Sequence, residues 1–283
     1  MESQHLSTSD GTQLHVYTER SVGTCRGQIL LVHGASEHGG RYEHLMHTFA
    51  EAGFFSVTPD LRGHGQSPGP RGHVTDYQRF LDDVDLLLRH MTMQSPHLPV
   101  FLYGHSMGGG IVANWLVTRS HPAVRAAILS APWLLLANDP PAWKVRVYRW
   151  AARVLPAFTV PVKPPIDQLT HDVAVAHRYH DDPLIHHRIS LRLAVQAYDA
   201  GQATLSAAQT CPIPVLLMHS PDDRITCATG SQRFADTAPF AEIQLYPGFA
   251  HELHNDTQWH EVSESVLHWL ERHCAPVGAE QVK

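Results

Sequence analysis

Short apolar runs alternate with longer amphipathic stretches along this chain, and the alternation is regular in its first half. Residues 28–34 (Gln28-Ile29-Leu30-Leu31-Val32-His33-Gly34) are almost continuously apolar and close on glycine, the pattern of a strand buried on both faces of a parallel sheet. Leu45, Met46, Phe49 and Ala50 follow at helical spacing, Gly53 stops that helix, and 54–59 form a second strand. Beyond a turn-rich loop at 60–67, the positions Tyr77, Phe80, Leu81, Val84, Leu87 and Leu88 share one face of a helix. Two further apolar runs, 98–103 and 124–131, are strands separated by another helix. Strand and helix have then alternated four times, so the fold class is α/β: a mostly parallel sheet with helices on both faces.

The period breaks at Pro132. From 132 to 209 no strand pattern is visible, and prolines separate apolar helical pieces at 143–155 and 189–205. An ordinary crossover uses far fewer residues. This stretch is therefore expected to be a helical lid inserted into a core made of 1–131 and 210–283. The alternation resumes with strands at 213–219 and 241–246, a helix through 231–237, and a last helix carrying Val262, Val266, Leu267, Trp269 and Leu270; residues 276–283 are expected to fray. The lid holds Trp133, Leu134, Leu135, Leu136, Trp143, Val147, Trp150, Val154, Leu155, Phe158 and Val160, more apolar side chains than a short insertion needs for itself. They either pack on the sheet domain or face an acyl chain or a membrane surface.

Composition removes several function classes. A net charge of −6 with 21 Lys+Arg argues against a nucleic-acid partner. No apolar run approaches the roughly 18 residues of a membrane span, and 1–5 lack the basic and apolar regions of a secretory leader. A cytoplasmic chain, at most peripheral to a membrane, is the expectation. Cys25, Cys211, Cys227 and Cys274 show no C-x-x-C spacing and read as free thiols. The 23 histidines are scattered, and solvated or edge-of-core positions account for them better than a metal site.

The chemistry gathers around Gly104-His105-Ser106-Met107-Gly108, which sits between a strand and a helix. A serine on so sharp a turn is pushed out over the end of the sheet, and glycines two residues either side remove the β-carbons that would collide there. Ser106 is thus the candidate nucleophile. Serine catalysis also needs a base and a carboxylate to orient it, in the chain order Ser, Asp or Glu, His, at the carboxyl ends of the strands. After the strand ending near Met218 come Asp222 and Asp223, either of which could be the acid. Asp223 is preferred, because the loop needs a few residues to turn back, and this leaves Asp222 to cap it. After Tyr246, the loop Pro247-Gly248-Phe249-Ala250-His251 brings His251 over the sheet as base. The oxyanion donors expected are the main-chain N–H groups of Met107, just past the nucleophile, and Ala35, after the first clear strand.

With these residues assembled, the chain resembles the α/β-hydrolases, and within them the monoacylglycerol lipase and lysophospholipase group. The resemblance rests on His33-Gly34-Ala35-Ser36-Glu37-His38-Gly39-Gly40-Arg41-Tyr42, Gly63-His64-Gly65-Gln66-Ser67, 99–109, Asp182-Pro183-Leu184-Ile185, Asp223-Arg224 and His251-Glu252-Leu253-His254. It implies Ser106, Asp223 and His251 as triad, Ala35 and Met107 as oxyanion donors, and a lid over an acyl channel. It further implies that Glu37, Arg41 and His254 line the exit of a glycerol leaving group, with Tyr179 at the lid edge. Two departures stand out: Ser36 occupies a position where the family often has glycine, and 133–172 match only loosely. The expected function is hydrolysis of monoacylglycerols through an acyl-enzyme, with no metal or organic cofactor and a single-chain acyl lipid as partner. A lysophospholipase, a short-chain esterase or an acyltransferase would share the same triad. A non-catalytic lipid- or protein-binding member of the fold should have lost a triad residue, and none is missing.

Overall fold

The computed structural model describes residues 1–274, so the expected frayed tail at 276–283 lies outside the described residues. In chain order the elements are β1 (Glu2–Ser7), β2 (Gln13–Glu19), β3 (Gly27–Val32), α1 (Glu43–Glu51), β4 (Phe54–Pro59), α2 (Gln78–Gln94), β5 (Val100–His105), α3 (Met107–Thr118) and β6 (Val124–Ser130). Then come α4 (Ala142–Val154), β7 (Thr159–Pro161), α5 (Val173–Asp181), β8 (Arg188–Ser190), α6 (Leu191–Ala207), β9 (Val215–His219), α7 (Ala228–Thr237), β10 (Ala241–Leu245) and α8 (Trp259–Cys274).

Eight strands form one sheet in the order β1-β2-β4-β3-β5-β6-β9-β10. The six read from apolar runs are all present and mutually parallel. The antiparallel hairpin β1–β2 extends the sheet past β4, and the apolar-run pattern gives no sign of it, because β1 is an exposed, polar edge strand. The insertion also holds a short antiparallel pair, β7 and β8, where the sequence showed no strand pattern; three residues each are too few for a period to register.

Side-chain parity along the parallel strands divides the core into two layers. Leu30, Val32, Leu102, Leu129 and Leu217 pack with α2, α3, α6 and α7, through residues such as Phe80, Leu87, Ile111, Trp115, Leu193 and Phe234. Ile29, Leu31, Phe101, Tyr103, Ile128 and Met218 point the other way, against α1 and α8 through Met46, Phe49, Val266 and Trp269. Both faces of the central strands are buried, which is why they read as continuous rather than alternating apolar runs.

The stretch 132–209 divides by its packing. Helix α6 lies against α3, with Asn114 Nδ2 donating to Thr204 Oγ1 at 3.0 Å and Leu193, Ala197 and Leu205 in the core. It is the crossover helix between β6 and β9. Helix α4 rests on α6 one layer further out, its inner side marked by buried Val145 and Ala152. No helix among the described residues is long and apolar enough to cross a membrane.

Candidate active site

Strand β5 runs into Ser106, whose φ of 52° is a left-handed conformation that a residue with a β-carbon adopts only under constraint. The constraint is local. Ser106 N–H donates to the Ser130 carbonyl at 3.0 Å, and the Ser106 carbonyl accepts from Gly110 N at 2.9 Å and Trp133 N at 2.8 Å. The glycines are needed because a β-carbon at Gly108 would come within 2.1 Å of the Val32 carbonyl oxygen and one at Gly104 within 2.6 Å of the Gly108 carbonyl oxygen. The serine hydroxyl is thereby held over the carboxyl edge of the sheet, at the N-terminus of α3.

The edge collects the other groups. His251 Nε2 lies 2.8 Å from Ser106 Oγ, and its Nδ1 lies 2.6 Å from Asp223 Oδ2. Asp223, its side chain fully buried, also accepts from the N–H groups of Ile225 and Thr226 at 2.7 and 3.1 Å, and the Thr226 hydroxyl lies 2.9 Å from Oδ2. His219 stands on its other side with Nε2 at 3.3 Å, braced by Ser231 Oγ at 2.7 Å from Nδ1. Asp222 is exposed, and its Oδ2 accepts from Gly248 N at 2.8 Å.

These contacts set the protonation states. Burial alone would raise the Asp223 carboxyl, but His251 and His219 hold it well below the usual carboxylate range. Burial would lower His251; the Asp223 carboxylate, with Glu252 and Glu37 behind it, leaves it raised instead. His105 and His254, fully buried in the same layer, move the other way: desolvation, aided by neighbouring histidines, pushes His105 down to about 3 and His254 well below its ordinary value. Only His251, among these three, is poised to take a proton.

The loop after β3 is fixed from both sides. His33 bridges from the Gly34 carbonyl, 2.7 Å from Nδ1, to the Leu61 N–H, which donates to Nε2 at 2.9 Å. Ser36 has a φ of 67°, a conformation that glycine tolerates more readily, and its carbonyl accepts from His186 N at 3.0 Å. Among the described residues, neither Ala35 nor Met107 N–H donates to a protein acceptor.

Glu37, Arg41 and Tyr179 come together at the polar end of the cavity described below. Arg41 grips Glu252 bidentately at 2.8 and 2.6 Å, contacts Glu37 Oε2 at 2.5 Å and lies 5.0 Å from the Tyr179 ring centroid. Glu37 Oε1 accepts from Gly34 N at 2.6 Å and from the Tyr42 hydroxyl at 2.8 Å. Burial raises both carboxyls in principle. The bidentate guanidinium pulls Glu252 down to about 2, whereas Glu37, with a single such contact, stays raised. His254 sits apart from this group, stacked on Tyr42 at 4.6 Å and edge-on to His105 at 4.7 Å.

A cavity of about 490 Å³ opens from Ser106 and His251. One end is polar, with Glu37, Arg41, Tyr179 and Glu252; the rest is walled by Trp133, Leu136, Val145, Val160, Val162, Leu169, Ile189 and Leu191, mostly from the insertion. A second cavity of about 450 Å³ shares Arg41 and Tyr179 and adds His38, His44, Arg178, Asp182 and His254. No cluster among the described residues has the three or more His, Cys, Asp or Glu ligands a metal ion would require.

Thr226, His219 and Glu252 had no role in the sequence reading. The Asp-x-x-Thr spacing of 223–226 signals an Asx turn that would lock the carboxylate. Glu252, a charge beside the base, needs a buried cation, and Arg41 supplies it only through the fold.

Comparison with known proteins places this geometry. The Hydrolase_4 family, described as "Serine aminopeptidase, S33", matches residues 23–258. A monoacylglycerol lipase of Mycolicibacterium smegmatis is 32% identical over 252 residues, covering 88% of this chain and 89% of that protein. The human monoglyceride lipase is 32% identical over 286 residues, covering 97% and 92%. The crystal structure of a monoacylglycerol lipase from Paleococcus ferrophilus superposes with a TM-score of 0.83 at 30% identity, over 92% of this chain and 99% of that one. An abhydrolase domain-containing protein of Dictyostelium discoideum, 31% identical along 94% of this chain, is much longer, and the match spans 28% of it. Family and relatives agree along nearly the whole length, and the chain belongs to the α/β-hydrolases, as a serine hydrolase of their monoacylglycerol lipase group.

Proposed function

We propose that this protein hydrolyses monoacylglycerols to a free fatty acid and glycerol through an acyl-enzyme on Ser106. The observation that carries the reading is the continuous chain of short contacts from Asp223 through His251 to Ser106, set at the junction of an apolar channel and a polar end. An amphiphile with one acyl chain fits that division. Its carbonyl lies at the serine, its chain runs under the insertion and its glycerol faces Glu37, Arg41 and Tyr179.

In the first half-reaction His251 Nε2 takes the proton from Ser106 Oγ as oxygen attacks the carbonyl carbon. The oxyanion is stabilised by the N–H groups of Ala35 and Met107, the second at the positive end of α3. His251 then returns the proton to the departing glycerol oxygen. In the second half it activates water, and the fatty acid leaves. Asp223 keeps the imidazole in the tautomer that presents a lone pair to the serine. His254 belongs to the second cavity, which gives glycerol a way out that does not retrace the acyl channel. The insertion from 132 to the start of α6 serves as the lid, and its outer surface meets the lipid phase.

The test is a matched oleoyl panel of monoacylglycerol, diacylglycerol and lysophosphatidylcholine, with a short-chain aryl ester beside it and the Ser106→Ala protein as blank. Monoacylglycerol should lead by about tenfold in kcat/KM, or about 1.4 kcal/mol of transition-state discrimination. Cleavage of the aryl ester alone would keep the triad and remove the lipid assignment. A lead for lysophosphatidylcholine would move the substrate to lysophospholipids.

A further inference from the structure

The motif Asp182-Pro183-Leu184-Ile185, between α5 and β8 in the insertion, has no part in the proton transfers at Ser106, yet it lies against the loop that follows β3. Its carboxylate reaches in two directions. Oδ1 accepts from Leu184 N at 2.8 Å and the Asp182 carbonyl accepts from Ile185 N at 3.3 Å, so the aspartate closes the turn that leads into His186. Oδ2 lies 2.8 Å from His38 Nε2. His186 in turn donates its N–H to the Ser36 carbonyl at 3.0 Å. Ser36 and His38, both buried, are thus held by one short turn of the insertion.

What they hold is the backbone around one amide. Ala35, whose N–H is the expected oxyanion donor of this loop, sits between Gly34, whose N–H donates to Glu37 Oε1 at 2.6 Å, and Ser36, whose carbonyl takes the His186 bond. The first tether belongs to the loop itself; the second comes from the insertion. Ser36 needs the second. Its φ of 67° is a conformation in which a β-carbon crowds the following carbonyl oxygen, whereas glycine occupies it about as readily as the negative side. Freed from His186 and His38, a serine here returns to negative φ and carries the chain at Ala35 with it.

Resting on the oxyanion role of Ala35 given above, we propose that Asp182 is a positioning residue for the oxyanion hole. Through His38 and the turn to His186 it keeps Ser36 at positive φ, and so keeps the Ala35 N–H where charge develops on the substrate oxygen. A carboxylate that only tethered the insertion would matter to long acyl chains, which fill the channel beneath it, and not to a small ester. An oxyanion donor serves every acyl group alike. The dependence also belongs to this chain's serine, because glycine at position 36 would hold the positive φ without a brace.

Kinetics on p-nitrophenyl acetate, which does not fill the acyl channel, test this whichever lipid the enzyme prefers. Asp182→Ala, checked for an unaltered circular dichroism spectrum, should lower kcat by roughly tenfold to a hundredfold with KM within about threefold, short of the ~10²–10³ lost with a whole donor. The loss on an oleoyl ester should be of the same size. A trifluoromethyl ketone, which forms a tetrahedral adduct on the serine, should bind more weakly by the same factor. His38→Gln, which keeps a donor near the Nε2 position, should retain most of the activity that His38→Ala loses; this pair carries the test should Asp182→Ala not fold. In a Ser36→Gly background Asp182→Ala should cost no more than about threefold. Undiminished kcat, a loss confined to the oleoyl ester, an unchanged ketone affinity beside a lowered kcat, or an equal cost of Asp182→Ala with serine and with glycine at position 36 would each overturn the proposal. Ketone affinity that Ser106→Ala leaves unchanged would overturn it together with the site assignment beneath it.

Discussion

The floor of the active site and helix α4 differ in how they are held. On the floor each charged group has a partner fixed by a second contact: Asp223 by Ile225, Thr226 and His219, Arg41 by two glutamates, and Glu37 by Gly34 and Tyr42. Helix α4 has one ion pair to the layer beneath it and shows its largest apolar side chains to solvent. The floor is organised before any ligand arrives, as electrostatic catalysis requires. The floor and α4 are thus tied down to different degrees, and substitutions should separate them.

The largest separation is expected at the two neighbouring aspartates. Asp223→Asn should lower kcat by about 10⁴-fold, because the amide stabilises the wrong imidazole tautomer. Asp222→Asn, which loses only a bond to Gly248 N, should stay within a few-fold. Steady-state kinetics on one ester substrate decide this, and the reverse pattern would hand the acid role to Asp222. Next comes the buried ion cluster. Arg41→Leu leaves two buried carboxyls without their cation and should cost about 3–5 kcal/mol, read from a urea midpoint; a loss under about 1 kcal/mol would mean that Glu37 and Glu252 accommodate each other by protonation.

Acid should act on the buried histidines of the core domain. His33, His64, His105 and His254 are fully buried and held neutral by desolvation, His64 and His105 with pKa values of about 3. Below about pH 6.5 the unfolded chain takes up protons that these four refuse, so stability falls as pH falls. His251 has the opposite sign: its raised pKa adds stability at low pH that is lost on the alkaline side. Four against one leaves roughly 3–4 kcal/mol lost between about pH 6.5 and 5.5, visible as a falling Tm. A flat Tm over that range would show that the four are protonated in the folded protein. The smallest effect is expected in the channel wall: Val160→Trp should cut kcat/KM for an oleoyl ester by about tenfold and leave a butyryl ester within about twofold, because the added volume is taken from the apolar wall that a long chain must fill.

Much of the floor was legible in the sequence. Six parallel strands announce themselves as apolar runs because both faces are covered, and the elbow glycines are demanded by backbone atoms that a β-carbon would meet at 2.1 and 2.6 Å. The hairpin β1–β2 was invisible because its outer strand buries almost nothing. Helix α6 read like the lid pieces before it, since its apolar face has the same period whether it meets α3 or a ligand; packing alone makes it a core helix. Glu252 lies in a motif that gives it no role by itself, because its partner Arg41 stands 211 residues earlier. Ser36, a departure from the family pattern, turns out to hold a positive φ. The apolar positions of α4 were legible, but their outward direction was not.

The histidine loop is also tied to the insertion. The N–H groups of His251 and Glu252 donate to the carbonyls of Gln168 and Leu169 at 3.1 and 2.9 Å, and Thr170 Oγ1 donates to the Asn255 carbonyl at 2.7 Å. Warming that frays this corner of the insertion should release His251 from its place beside Ser106 while the sheet is still intact. The working temperature ceiling of the enzyme should then follow a few buried hydrogen bonds at the edge of the insertion rather than the sheet core. Heat inactivation should be reversible on cooling up to the point where the sheet itself melts.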